Sequence, residues 1–334
     1  MNTDLASDAR RLRIVLPGGS GQVGSALARY FQERGHFVTV LTRGPYTAPW
    51  QTVHWDGVNR GPWIETLEGA DVCIHLSGRS INCRYTEENK RALFESRINT
   101  TRLVGDAISV LDNPPRVWLN ASTATIYRHA LDRDMDEATG EIGGGEWISK
   151  RRRAPAKWDW TVKLTKDWEA ACFEAATPRT RKVALRTSLV FGAEHGSVFE
   201  VMSNLVRASL GGSQGNGRQY VSWIHETDYA RAVEFLIEHE EIDGPVNLTS
   251  PNPLPNREFM AALREAWGVP NGLPAPALAI KLGAIFMRTE PELVLKSRRV
   301  VPGRLLEAGF EFTFPEWRAA AEDLVRQWKE CSGH

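Results

Sequence analysis

The chain has 334 residues, with 41 Lys and Arg set against 41 Asp and Glu, and 42% of its residues are hydrophobic. That length fits one large domain or two modest ones around a sizeable core, and it excludes a chain that is mostly disordered. A formal net charge of zero gives no overall field for nucleic acid or an anionic membrane, so an anionic ligand must be held by a local cluster of donors.

The first residues, MNTDLASDARR, carry Asp4 and Asp8 before any apolar run. No uninterrupted apolar stretch approaches the roughly 18 residues of a membrane span, which points to a cytoplasmic protein without membrane contact. LRIVLP (12–17) is a short apolar run that stops at PGGSGQVGS, after which SALARYFQERG has helical spacing and Gly35 as its C-terminal stop. HFVTVLT (36–42) is rich in β-branched residues, so strand, turn, helix and strand complete a β-α-β unit. The alternation continues through TVHW, a helix near Pro62 to Leu67, the strand DVCIHLS and a long helical segment from Thr86 to Leu111. RVWLNAS, a helix from Thr165 to Ala176 and KVALRTSLV from Lys182 follow. This predicts a doubly wound, Rossmann-type α/β fold with a parallel sheet over residues 1–191.

Beyond Gly192 the elements are short and mixed. GGSQGNGR reads as a loop, QYVSWIH as a strand and TDYARAVEFLIEHE as a helix, and residues 219–240 are expected to return to the first domain. Residues 192–218 and 241–334 are expected to form a smaller, mostly helical substrate-side region. SKRRRAPAKWDW (149–160) reads as an exposed basic loop. The four cysteines, Cys73, Cys83, Cys172 and Cys331, have neither CxxC spacing nor a nearby ligand histidine, so no metal site and no disulfide framework is expected. The 12 Trp read as packing residues.

Gly19, Gly21 and Gly24 form GxGxxG, with Gly18 adding an overlapping GxxGxxG. The pattern follows a predicted strand and opens a helix, the context in which it marks a dinucleotide site. Glycines permit a tight turn and let the backbone of Gly18, Gly19, Ser20, Gly21, Gln22, Val23 and Gly24 approach a pyrophosphate at a helix N-terminus. After the second strand, where an NAD site carries an acid for the ribose hydroxyl, stands Arg43, suited to a 2′-phosphate. NADP(H) is therefore expected over NAD(H). Asp56, after the third strand, is placed to accept from the adenine amino group.

These features, with HLSG (75–78), NASTATIYR (120–128) and WIHETD (223–228), resemble the extended short-chain dehydrogenase/reductases. SRINTTRL from Ser96, DWEAA from Asp167, GPVNLTSPNPLPNREF from Gly244 and VVPGRLLEAGFEF from Val300 narrow the resemblance to the SulA-like "epimerase family" subgroup, which carries a C-terminal domain of unknown function. The resemblance implies NADP binding, cofactor contacts from Leu76, Ser77 and Gly78, a catalytic hydroxyl at Thr123, and a catalytic Asn99 on the long helix before the fifth strand. It further implies a substrate contact from Tyr127 and pairing of two copies through helices near 86–111 and 165–176, which leaves a homodimer open. Arg218, off the family's position in GGSQGNGR, is a second candidate, for an anionic group of the substrate.

The chain departs from that pattern in two respects: Val221 stands where nucleotide-sugar members often carry an Arg three positions before the Ile-His of Ile224 and His225, which disfavours a nucleotide-sugar substrate, and the acid/base pair is missing. Members need a Tyr and a Lys four residues later, so that the ammonium lowers the phenol pKa, and none of the six Tyr has a Lys at that spacing. With Glu169 as a landmark, Thr161 and Thr165 occupy the two places, and Lys163, Lys166 and Glu169 are the nearby alternatives. Two readings follow: an oxidoreductase or epimerase-like enzyme on a small molecule, or an NADP(H)-binding sensor or scaffold without turnover. A third, nucleic-acid binding through Lys150 to Arg153, is disfavoured by the zero net charge. His225 and Asp228 read as structural, with Thr227 or Asp228 capping a helix.

Overall fold

The structure, a computed structural model, describes residues 10–144, 158–286 and 290–331. Lys150 to Arg153 and most of the basic loop lie outside them. In chain order the elements are β1 (Arg13–Pro17), α1 (Gln22–Glu33), β2 (Phe37–Thr42), β3 (Gln51–His54), β4 (Val72–His75), α2 (Glu87–Phe94), α3 (Thr100–Ile108), β5 (Val117–Thr123), α4 (Asp159–Phe173) and β6 (Arg181–Thr187). They continue with β7 (Leu189–Phe191), α5 (Val198–Arg207), β8 (Tyr220–Val221), β9 (Trp223–His225), α6 (Glu226–Glu238), β10 (Gly244–Leu248), β11 (Leu254–Pro255), α7 (Asn256–Trp267), α8 (Ala277–Phe286), α9 (Glu292–Leu295), α10 (Gly303–Glu307) and α11 (Trp317–Cys331).

Seven strands form one parallel sheet in the order β10-β6-β5-β4-β1-β2-β3. Strands such as VCIH are buried throughout because helices cover both faces, which is why they read as continuous apolar runs. On one face Leu27, Ala28 and Phe31 of α1 pack with Tyr229, Val233 and Leu236 of α6. On the other, Val104 and Ile108 of α3 and Cys172 of α4 close over Trp118. Strand order reverses between β1 and β4, so the ligand crevice of such a sheet lies beyond their carboxyl ends.

The predicted Rossmann-type sheet is present, and Gly35 ends α1 with a φ of +82°, a left-handed position that glycine adopts freely. Several local expectations are corrected. The long helix is capped by Thr86, whose side chain accepts from the Asn89 amide, but a π-helical turn at Glu95–Asn99 divides it. KVALRTSLV splits at Ser188: β6 stays in the sheet while β7 pairs with β9. QYVSWIH splits at Ser222, whose hydroxyl donates to Arg298 O at 2.8 Å and accepts from Val300 N at 2.9 Å. The helix cap after β9 is His225 itself, its Nδ1 accepting from Thr227 N. Asp228 instead accepts from the amides of Thr313 and Phe314.

The boundary at residue 241 also falls in the wrong place. Strand β10 forms the edge of the large sheet beside β6, and Leu305 and Phe310 belong to the same apolar core. The smaller region has its own aromatic core, in which Phe259 and Trp317 stack with centroids 3.9 Å apart and Phe191, Phe199, Trp223 and Trp328 surround them. Among the described residues no helix is long and apolar enough to cross a membrane.

Candidate functional site

The loop between β1 and α1 is shaped by close approach. Gly18 has a φ of +76°, and a Cβ there would fall 2.5 Å from Ser77 Oγ. A Cβ on Gly24 would fall 2.3 Å from Gly19 O. Gly21 differs: a Cβ would meet nothing within 4 Å, so this glycine keeps space clear in front of the backbone. Gly21 is also the N-cap of α1, which has neither a side-chain cap nor an acid in its first turn. The first amides of Gln22 and Val23 therefore meet the crevice with the helix dipole behind them. Gln22 Nε2 and Ser77 Oγ are buried beside this loop without a partner. An uncapped helix start, cleared space and unspent buried polar atoms fit a pyrophosphate.

Arg43 stands exposed immediately beyond β2. Just inside it Thr42 donates to Ser20 Oγ at 3.2 Å, joining the strand end to the glycine loop, and Tyr46 bonds Ser25 at 2.7 Å. Asp56 is held down at about 2 by the amides of Asn59 and Val58 and by the Asn59 side chain; its first task is to close that turn. Leu76 donates its amide to Pro17 O, which brings Leu76, Ser77 and Gly78 against β1. Gly78 is needed for the next layer, since a Cβ there would lie 3.3 Å from Arg97 Cζ.

At the end of β5, Thr123 Oγ1 accepts from the Thr125 amide at 3.2 Å. Its hydroxyl stays at the carboxyl edge of the sheet, where the sequence placed it. Asn99 is exposed at the end of the π turn, whereas Thr101, two residues on, is buried and reached by Trp168 Nε1 at 3.0 Å. His75 Nδ1 lies 2.8 Å from Asn120 Oδ1 in the same layer, and burial lowers its pKa to about 4.

Two expected substrate contacts are corrected. The Tyr127 ring is buried, its hydroxyl donating to Asn247 Oδ1 and accepting from Arg186 Nη1, both at 3.0 Å. Both bonds are spent inside the fold, where they tie the hydroxyl to β6 and β10. Arg218 is exposed on the loop packed against α7, beside Gly217 and Arg257, and is not brought to Thr123 by any contact. The alternatives on α4 also resolve: Lys163 and Lys166 face solvent, and Glu169 clamps Arg186 with bonds of 2.9 and 2.8 Å. Thr161 and Thr165 do occupy one inner face of α4. Thr161 donates to Trp158 O or Glu292 Oε1, and Thr165 to Thr161 O.

What sequence reading missed comes from the far end of the chain. Lys296 Nζ donates to Thr125 O at 2.9 Å, and Arg298 Nε reaches Thr125 Oγ1 at 3.3 Å. Glu292, 3.6 Å from Lys296 Nζ, joins them beside Thr161. Burial, with Arg298 nearby, brings the Lys296 ammonium down to about 8. Burial pushes the Glu292 carboxyl up. Three charged residues spaced 4 and 2 apart after Pro291 were the available signal, hidden because such spacing normally marks a solvated face. An open groove of about 600 Å³ lies elsewhere, along the opposite end of the sheet, among Arg116, Arg179, Arg181 and Lys182. Those cations are already turned onto backbone carbonyls.

Known proteins give this geometry its context. Residues 14–248 match the NAD dependent epimerase/dehydratase family, and residues 275–324 match a domain of unknown function, DUF1731. The mouse epimerase family protein SDR39U1 is 30% identical over 322 residues, covering 94% of this chain and 100% of that protein. The Mycobacterium leprae epimerase family protein ML0860 is 31% identical, covering 92% and 94%. The crystal structure of human SDR39U1 (isoform 2) with NADPH superposes with a TM-score of 0.80 at 28% identity, over 94% of this chain and 99% of that one. The Bacillus cereus UDP-N-acetylglucosamine 4-epimerase, at 16% identity and a TM-score of 0.70 over 95% and 99%, shares the fold.

Proposed function

The chain belongs to the NAD dependent epimerase/dehydratase family, and from that premise we propose that it binds NADP(H) in preference to NAD(H) and acts as an oxidoreductase or epimerase-like enzyme on a small molecule. The observation that carries the reading is the cleared, uncapped start of α1 at Gly21. Gly18 to Gly24 would hold the pyrophosphate by their amides, Arg43 the 2′-phosphate, Asp56 the adenine edge, and Leu76 to Gly78 the inner wall. When bound, a nicotinamide dinucleotide supplies hydride-transfer chemistry. Thr123 is the hydroxyl that would hold the reacting oxygen of a substrate. The NADPH in the human relative's structure supports the cofactor choice.

Titration by fluorescence tests it. Wild type should bind NADPH more tightly than NADH, and Arg43→Ala should lose about tenfold or more in NADPH affinity with NADH unchanged, the loss expected for one charge-assisted hydrogen bond. Gly21→Ala should weaken both without changing the melting temperature. Equal affinities for the two dinucleotides in wild type would overturn the preference. A second reading, a dinucleotide sensor without turnover, rests on Thr161 and Thr165 standing where a Tyr/Lys pair is needed. Consumption of NADPH with any carbonyl substrate, slowed by Thr123→Ala, decides against it.

A further inference from the structure

Arg298 is half-buried and poorly partnered. Its guanidinium reaches Thr125 Oγ1 at 3.3 Å and the carbonyls of Leu293 and Lys296 at 3.4 Å each, all at the outer limit of a hydrogen bond. Lys296 beside it has one good bond, to Thr125 O, and a 3.6 Å approach to Glu292. Across from them Tyr85 carries a buried hydroxyl with no partner, and Glu292 Oε2 is likewise unpartnered. The charges of Glu292, Arg298 and Glu290 all act on the Tyr85 hydroxyl, and Glu290 is itself drawn to Arg84 at 3.6 Å. Arg97, half-buried, interacts with Tyr85 and packs under Gly78, with carbonyls, Ser96, Cys83 and the Trp168 face around it. The buried Lys296 and the half-buried Arg298 and Arg97 thus gather round Tyr85 and the buried carboxylate of Glu292, with Glu290 acting on Tyr85 and Asp159 acting on Lys296 from the first turn of α4. His129, close by, is held neutral by burial and by Lys296, Arg128 and Arg298.

Buried cations without matching anions are costly and are retained where a ligand completes them. We propose that Lys296, Arg298 and Tyr85 form an anion subsite at the carboxyl end of β5, so that the small-molecule substrate carries a carboxylate or phosphate group. This rests on the functional reading above, because the subsite adjoins Thr123 through Thr125. Thr125 serves as the hinge of the arrangement: its amide holds Thr123 Oγ1, while its carbonyl and hydroxyl receive the two cations. The anionic group would replace the long contacts of Arg298 with short, charge-assisted ones and would give the Tyr85 hydroxyl an acceptor. Arg218, the arginine singled out by sequence for this task, takes no part in it.

Calorimetric titration of the full chain, with and without saturating NADPH, tests the subsite with three probes: 2-oxobutanoate, its uncharged methyl ester, and glycerol 3-phosphate. At least one anion should bind at least tenfold more tightly than the ester, and the stronger of the two identifies the group. Arg298→Gln and Lys296→Met should each lower that affinity at least tenfold while NADPH affinity stays within twofold, and Arg298→Lys should recover part of it. Tyr85→Phe removes an unpartnered hydroxyl without cost to the fold, and should weaken the anion about threefold or more; it decides the matter if the charge variants do not fold. Anions binding no better than the ester, or variants binding as wild type does, would overturn the subsite. Failure of wild type to bind NADPH would overturn the dinucleotide reading instead, while the titration without dinucleotide still decides this one.

Discussion

Two arginines, the buried Arg186 and the half-buried Arg298, are treated in opposite ways. Arg186, on β6, is clamped by both oxygens of Glu169, and Ser122 donates to the same carboxylate at 2.6 Å. The Tyr127 hydroxyl and Asn247 extend the chain of bonds. Glu169 and Tyr127 together raise the Arg186 pKa against the effect of burial. Arg298, beside Thr125, has three long bonds and no ion pair among the described residues, and burial lowers its pKa. The first site is complete without a ligand and locks β5, β6 and β10 together. The second has unspent hydrogen-bonding capacity, which is what a binding site must keep.

The largest effect should come from breaking the complete site. Glu169→Ala leaves the Arg186 charge buried and alone, and a loss of about 3–5 kcal/mol in unfolding free energy is expected by denaturant titration. A smaller loss than that of an ordinary surface change would mean that the pair contributes nothing beyond packing.

Next in size is a buried acid that belongs to neither site. Burial and the neighbouring Glu194 raise Glu226 to about 7. Its folded-state pKa lies above its unfolded value, so the folded state holds the proton more tightly, and stability falls as pH rises from about 4.5 to 7. Glu226→Gln removes that loss: it should stabilise the protein by about 2–3 kcal/mol at pH 8 and change little at pH 4.5. Melting curves at the two values check this, and equal shifts at both would refute the linkage.

The smallest effect is expected where the comparison is sharpest. Arg298→Gln should leave the unfolding free energy within about 1 kcal/mol or raise it, because the long bonds it gives up were worth little and the unmatched charge it removes was costly. A loss as large as that of Glu169→Ala would show that Arg298 is a structural residue after all.

The sequence made the dinucleotide half legible because its signals are local. A glycine spacing, a strand before it and a helix after it fall within 24 residues, and Gly18, Gly21 and Gly24 each turned out to have a distinct steric task. The parallel sheet followed from alternating elements. The seventh strand did not: GPVNL opens on Gly-Pro and is only 5 residues long, so it reads with the smaller region until β6 lies beside it. Tyr127 was misread because its environment depends on Asn247 and Arg186, 120 and 59 positions away. Lys296 and Arg298 escaped for the same reason. Their meaning comes from Thr125 and Tyr85, and no periodicity in the C-terminal region points there.

The contact between Lys296 and Thr125 spans 171 positions of chain. Loop closure of that length is entropically late in folding, and during synthesis it has to wait until the C-terminal segment has been made. The glycine loop and its sheet can form around β1 to β6 well before then. A nascent chain can therefore possess the dinucleotide crevice while still lacking the cations beside Thr125, and completing the site becomes a test that the whole chain has been made.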